Sequence, residues 1–421
     1  MRKPIKQPRF LRWEPLFYLS FFVFLMLLTC YFPPAPDDRL WTGSYGEELF
    51  LRGFANYNGR YLGNLCAYVL LRVPWILPLV KASAHTGILW LTQRFAGNRD
   101  RRFLLLSAIL LLLPGPLLIQ DFAWTTAFLN YEMPVLLLLT VAFLVYKARR
   151  RAAWFVVIAI LGFATQLFME HYSLFALAVS GCTALHPKCK AYRARALVWL
   201  CSAAAGAALM FSNANYLRVL RGEKGYQRVA PGLLPGFLRA LAGFAAACAP
   251  VLLLIAILLL LLRRRNPAAW VRLPRSRLLW LCIALLAALN APLLFVFPMG
   301  PRCFSLTAVL LLLMAHRLFT FAARKSTPLP TRPRGARSLT VALAAIMAID
   351  LAGYMFIHAA NLAKVAEVRA QVAQGNRTIV LRHTPMRFLV NALDQEPNNR
   401  NILRGFLEYY GLPEDVTIHY E

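Results

Sequence analysis

Apolar residues in this chain come in long runs, where a soluble fold would show short alternations. The first run, Leu16–Phe32, is followed by Leu77–Gln93, Phe103–Ile119, Pro134–Tyr146, Ala153–Met169 and Tyr172–Leu185. Then come Ala196–Phe211, Phe237–Leu262, Leu278–Phe297, Phe304–Phe321 and Leu339–His358. Several reach the ~20 residues that a helix needs to cross a hydrocarbon layer. The pattern predicts an all-α polytopic membrane protein with about eleven transmembrane helices. Within Tyr61–Gln93, the placing of Arg72, Pro74, Pro78 and Lys81 predicts an interfacial helix followed by a crossing. Residues 359–421 turn polar and predict a small α/β outer domain. Asn361–Gln374 has helical spacing, Arg377–Arg382 alternates like a strand, Asn401–Tyr410 reads as helix and Val416–Tyr420 as a second strand.

The polar connections orient the chain. Basic residues gather at the N-terminus (Arg2, Lys3, Lys6, Arg9, Arg12) and in Arg94…Arg102, Lys147–Arg151, Lys188…Arg195, Arg263–Arg265 and Arg324…Arg337. By the positive-inside rule these are cytoplasmic, and the Pro-rich Ser326–Arg337 stretch is a cytoplasmic linker. An odd number of crossings then puts the polar C-terminal residues outside. The basic start leads into an apolar run without a small-residue cleavage site, so it reads as a membrane anchor and not as a cleaved leader. The chain has 421 residues, is 59% hydrophobic and carries a net charge of +29. Because the excess charge sits in short connections, it reads as membrane orientation and not as nucleic-acid binding. The eight cysteines are scattered, show no metal or redox spacing, and read as small buried hydrophobes. No phosphate-binding glycine loop or His-Glu metal motif occurs.

Most acids lie in the opposite, outer connections, and carboxylate chemistry is expected there. Asp37 and Asp38 follow Pro33-Pro34-Ala35-Pro36 in the first outer loop, residues 33–61. A capping role accounts for one acid of the pair. The other is free to take a proton from a hydroxyl, and either could hold a divalent cation. The same loop ends in Asn58-Gly59-Arg60-Tyr61. The next outer connections hold Trp124, Asn130 and Tyr131, then Glu170-His171, which together offer aromatic faces, amides and a second acid for a sugar. Outer cations that run against the charge trend are Arg60, Arg218, Arg221 and Arg302, the last in the tight turn Pro298-Met299-Gly300-Pro301-Arg302. These are the candidates for a phosphate. Asp350, inside the last apolar run, is expected to face the bundle and pair with a hydroxyl or a cation.

An acid pair after the first span, an interfacial helix, and Asn-Gly-Arg-Tyr before the second span resemble bacterial membrane enzymes of the glycosyltransferase C superfamily. The resemblance covers span number, orientation, first loop and outer C-terminal domain. It implies a transmembrane glycosyltransferase-like domain over residues 1–358. It further implies inverting transfer of a sugar from a polyprenyl-phosphate carrier to a cell-envelope glycan or lipid acceptor, with Asp37 the best match for the catalytic acid and Asp38 beside it. A transporter or flippase of lipid-linked sugars is the alternative. It would be expected to place polar groups at mid-membrane in broken helices.

Overall fold

The computed structural model describes residues 13–55, 57–97, 100–148, 151–221, 228–229, 232–297, 299–323, 333–386, 389–390 and 400–421. Every apolar run falls wholly or mainly on helix. Among the described residues, five helices are long and apolar enough to cross a membrane: Thr125–Lys147, Arg193–Phe211, Leu234–Arg264, Pro301–Thr320 and Gly335–Ala373. A sixth crossing is counted if Tyr61–Arg72 and Pro74–Ala96, which meet at 103°, form one broken span. Glu14–Thr29, Ala152–Gln166 and Leu279–Leu294 are apolar but shorter. The protein is a largely helical, multi-pass membrane protein.

The first helix shows why its faces sort as they do. Leu16, Leu19, Val23 and Leu27 recur at helical spacing and are exposed, while Phe21, Phe24, Leu25 and Leu28 on the other side are buried. An apolar stripe facing outward suits lipid, not water. Glu14–Thr29 packs on Leu77–Ala96, and Ala152–Gln166 and Glu170–Leu185 both pack on Arg193–Phe211. Leu233–Arg265 packs on Ser305–Ala323, and Pro333–Ala373 on Arg101–Leu112.

Several boundaries differ from the sequence reading, each for a local reason. The third run stops at Leu112, where Leu113-Pro114-Gly115-Pro116 breaks it. The stretch expected as a loop around Gln120–Glu132 instead winds as wide π turns, Leu118–Ala123 and Phe128–Glu132, and feeds directly into Met133–Lys147. The last apolar helix does not end at His358 but runs unbroken from Pro333 to Ala373, since nothing in Ala359–Val372 interrupts helical hydrogen bonding. Residues 1–12, 98–99, 149–150, 222–227 and 324–332, which carry many of the basic clusters and most of the Pro-rich linker, lie outside the described residues. Among the cysteines only Cys248 and Cys303 are buried; Cys30, Cys182 and Cys201 sit on outward helix faces, so the expectation of burial is corrected.

After the long helix, Thr378–Leu381 pairs in parallel with Thr417–Tyr420, and Arg400–Tyr410 lies between them in sequence. This unit has its own small core of Val368, Ile379, Leu381, Phe406, Leu407, Val416 and Ile418. Its helix Arg400–Tyr410 packs directly on Pro36–Thr42, the short helix that bears the acid pair.

Candidate functional site

Pro36–Thr42 begins where four residues, three of them proline, prevent the first helix from continuing. Asp37 and Asp38 are adjacent on this helix and therefore point about 100° apart. Asp38 points inward and is 1% exposed. Its Oδ2 accepts the backbone N–H groups of Ala35 and Thr125, each at 3.1 Å, and its Oδ1 accepts that of Thr126 at 2.8 Å. One carboxylate thus satisfies free donors at the start of its own helix and at the start of Thr125–Lys147, where negative charge is favoured. Burial raises the pKa of Asp38, while the Lys81 ammonium and the three N–H donors pull it down.

Asp37 points the other way, into a polar pocket of about 410 Å³ including its mouth. It is partly exposed and makes no hydrogen bond to any described residue. Burial, reinforced by the charge of Asp38 and opposed by Arg302, pushes its pKa up to about 6. Of the residues expected from sequence, the same pocket gathers Asn58, Arg60, Trp124, Asn130, Tyr131 and Arg302. The guanidinium of Arg302 lies over the Trp124 ring at 4.7 Å and the Tyr131 ring at 5.6 Å, which holds a cation at one wall.

The Asn-Gly-Arg turn is fixed by its neighbours. The Asn58 Oδ1 accepts from the Arg60 N–H at 3.1 Å and from Asn64 Nδ2 at 2.9 Å, while Asn213 Nδ2 donates to the Asn58 carbonyl. A Cβ on Gly59 would run into the Met210 carbonyl, so no other residue fits there. Arg60 grips Glu170 through two bonds of 3.0 Å, and Tyr216 donates to the same carboxylate at 2.5 Å. Glu170 and His171 are therefore not an exposed outer turn. They start the helix Glu170–Leu185, with His171 buried, and do not line the pocket. Arg218 and Arg221 are exposed on and just after the short helix Ala214–Leu220 and also lie away from it. Asp350 is 1% exposed with both oxygens lacking a hydrogen-bond partner among the described residues, so the expected pairing is corrected.

Trp124 Nε1, Thr126 Oγ1 and Asn130 Oδ1 are buried polar atoms without a partner among the described residues, and all three residues line the space that Asp37 faces. Each such group costs about 1–3 kcal/mol unless something bonds it. Of these atoms Trp offers a donor, Asn an acceptor and Thr both, and Asn130 Oδ1 packs against Gly63.

Sequence reasoning missed five lining residues, Trp41, Tyr57, Asn64, Thr126 and Ala127. Trp41 lies one helical turn after Asp37, and Tyr57 and Asn64 flank the Asn-Gly-Arg turn, so spacing alone could have pointed to them. It also missed the clamp behind the site. Arg39 is buried under Phe406 at 4.9 Å. Glu408 accepts the Ser44 N–H at 2.8 Å and the Ser44 hydroxyl at 2.6 Å, tying the C-terminal helix to the acid-bearing loop. Arg72 closes the other end of the acid helix by donating to the Trp41 and Gly43 carbonyls.

Among the described residues no group of three His, Cys, Asp or Glu side chains is arranged to hold a metal ion. Both Asp38 oxygens are occupied by backbone donors, which leaves Asp37 as the acid of the pair able to reach a cation or a substrate. No family model, curated protein or solved structure matches the chain.

Proposed function

We propose that this protein is a membrane glycosyltransferase that moves a sugar from a polyprenyl-phosphate carrier to a cell-envelope glycan or lipid acceptor. The observation that carries the reading is one polar pocket that gathers Asp37, a carboxylate without a hydrogen bond to any described residue, with Arg302 stacked on Trp124 and Tyr131 and with Asn58, Asn64 and Asn130. Its amides suit the hydroxyls of a sugar, and its aromatic walls suit the apolar face of a pyranose.

In this reading Asp37 is the general base. It takes the proton of the acceptor hydroxyl as that oxygen attacks the anomeric carbon. The bond from that carbon to the phosphate oxygen breaks, and the carrier phosphate leaves with the electron pair. Inversion follows from attack opposite the leaving group. A base with pKa near 6 is ionised at neutral pH yet basic enough to assist. Arg302 meets the charge that develops on the phosphate, and its planar fork suits two phosphate oxygens. Arg60, engaged by Glu170, holds the pocket wall and contributes charge at longer range. Asp38 positions Asp37 and takes no part in proton transfer. A divalent ion, where one is used, has Asp37 as its ligand.

The wider architecture belongs to the same proposal. About eleven crossings, N-terminus inside and C-terminal unit outside, put the pocket at the outer face of a bacterial inner membrane and the interfacial helix Tyr61–Arg72 at its edge. The resemblance to the glycosyltransferase C superfamily, carried by the acid pair and Asn58-Gly59-Arg60-Tyr61, agrees with this placement. Incubating the purified protein with a panel of defined polyprenyl-phosphate sugars and an acceptor extract tests it. Release of the free lipid phosphate with sugar transferred is expected. Lipid scrambling without release across the panel overturns the reading in favour of a flippase.

A further inference from the structure

A second cavity, sharing no lining residue with the Asp37 pocket, opens where the third apolar run breaks. It measures about 830 Å³ including its mouth. Its walls are apolar: Leu110 and Pro114 at the break, Ala247 and Pro250 of the helix Leu233–Arg265, and Ala308 and Leu312 of Ser305–Ala323. One end is polar. His85, Asp121, Glu132 and Ser305 line it.

The polar end is built but incomplete. His85 Nδ1 lies 2.5 Å from Glu132 Oε1, and the Ser305 hydroxyl donates to Asp121 Oδ2. The Phe122 ring, 4.7 Å from that of His85, fills the space beside them, and Lys81 fixes the turn by donating to the Phe122 and Ala123 carbonyls at 2.8 and 3.0 Å. His85 is 5% and Asp121 3% exposed, yet His85 Nε2 and Asp121 Oδ1 have no partner among the described residues. Buried polar atoms of this kind call for a bonding group from elsewhere.

We infer that this cavity binds a lipid with a single hydroxyl head, its chain among the apolar walls and its hydroxyl between Asp121 Oδ1 and His85 Nε2. A hydroxyl both donates and accepts, so one group serves the carboxylate and the imidazole together. A phosphate head brings negative charge against Asp121 and Glu132 and is disfavoured there. A bare alkyl chain leaves both polar atoms unbonded. The site is therefore distinct in chemistry from a seat for a phosphate-linked carrier, and the inference does not depend on sugar transfer.

Photolabelling tests it with wild-type protein in non-ionic detergent. The probe is hexadecanol with a chain-borne diazirine, and the competitors are hexadecanol, hexadecane and hexadecyl phosphate. Label is expected in peptides spanning residues 110–122 or 246–251, with hexadecanol competing about tenfold better than either of the other two, the worth of roughly one hydrogen bond. Equal competition by hexadecane or the phosphate, or label confined to other peptides, overturns the inference. In Asp121→Ala the alcohol's advantage over hexadecane is expected to vanish while the chain still labels the same peptides. An advantage that survives the substitution also overturns it.

Discussion

The two neighbouring acids should separate cleanly when each is changed to its amide. In Asp38→Asn, the best rotamer keeps an oxygen where Oδ2 accepts from Ala35 and Thr125, and places an NH2 against the Thr126 N–H. One buried donor then faces another donor, at about 1–3 kcal/mol, and two charge-assisted bonds become neutral ones at about 1 kcal/mol each. Relief of burying a carboxylate returns part of this, so the net loss is about 2–4 kcal/mol. Asp37→Asn breaks no hydrogen bond and removes a like charge beside Asp38. Its stability should stay within about 0.5 kcal/mol of wild type, while turnover falls by about 10²–10⁴-fold. Unfolding in a detergent–SDS titration, together with turnover per folded molecule, measures both. An Asp38→Asn protein as stable as wild type but inactive, beside a fully active Asp37→Asn, would refute the assignment of anchor and base.

Turnover should fall as pH drops through about 6, because Asp37, its pKa raised from the ordinary carboxylate value, becomes protonated there and can no longer accept a proton. In Asp38→Asn that limb should move to lower pH, since one of the influences raising the pKa is gone; a pH–rate profile of both proteins checks the sign. Arg302→Lys should lower turnover with a polyprenyl-phosphate donor by about tenfold or more, because the fork and its stacking on Trp124 are lost although the charge remains; near-normal turnover in both Arg302→Lys and Arg302→Ala would move the phosphate site elsewhere. Glu408→Ala removes the two bonds to Ser44 and should loosen the acid-bearing loop, seen as faster hydrogen exchange over residues 36–51 with little change in the spans.

The membrane-spanning helices were legible in the sequence because burial in lipid leaves an unmistakable apolar run, and the strands at Thr378–Leu381 and Thr417–Tyr420 because alternation marks a half-buried face. Where the reading slipped, tertiary contacts decided. The turns from Leu118 to Glu132 looked like a loop because Asp121, Asn130 and Glu132 interrupt the apolar pattern. Each of those polar groups is held inside the bundle, by Ser305, the Thr126 carbonyl and His85. Lys81 read as a mark of the interface, yet its ammonium is buried and pins that segment. At the site, residue types pointed to Asp37, Asn58, Arg60, Trp124, Asn130, Tyr131 and Arg302, and the fold brings these into one pocket. The sequence was silent on which acid faces that pocket. The deciding partners of Asp38, Thr125 and Thr126, lie almost ninety residues away along the chain.

The central claim is that Asp37 performs transfer in a pocket that binds the donor through other groups. The most direct measurement is donor binding and single-turnover transfer on the same two proteins, wild type and Asp37→Asn, using a radiolabelled polyprenyl-phosphate sugar. Both proteins should bind the donor with affinities within a few-fold, and only the wild type should release lipid phosphate at an appreciable rate. Equal transfer by the two proteins, or tight binding to wild type with no transfer to any acceptor, would contradict the account.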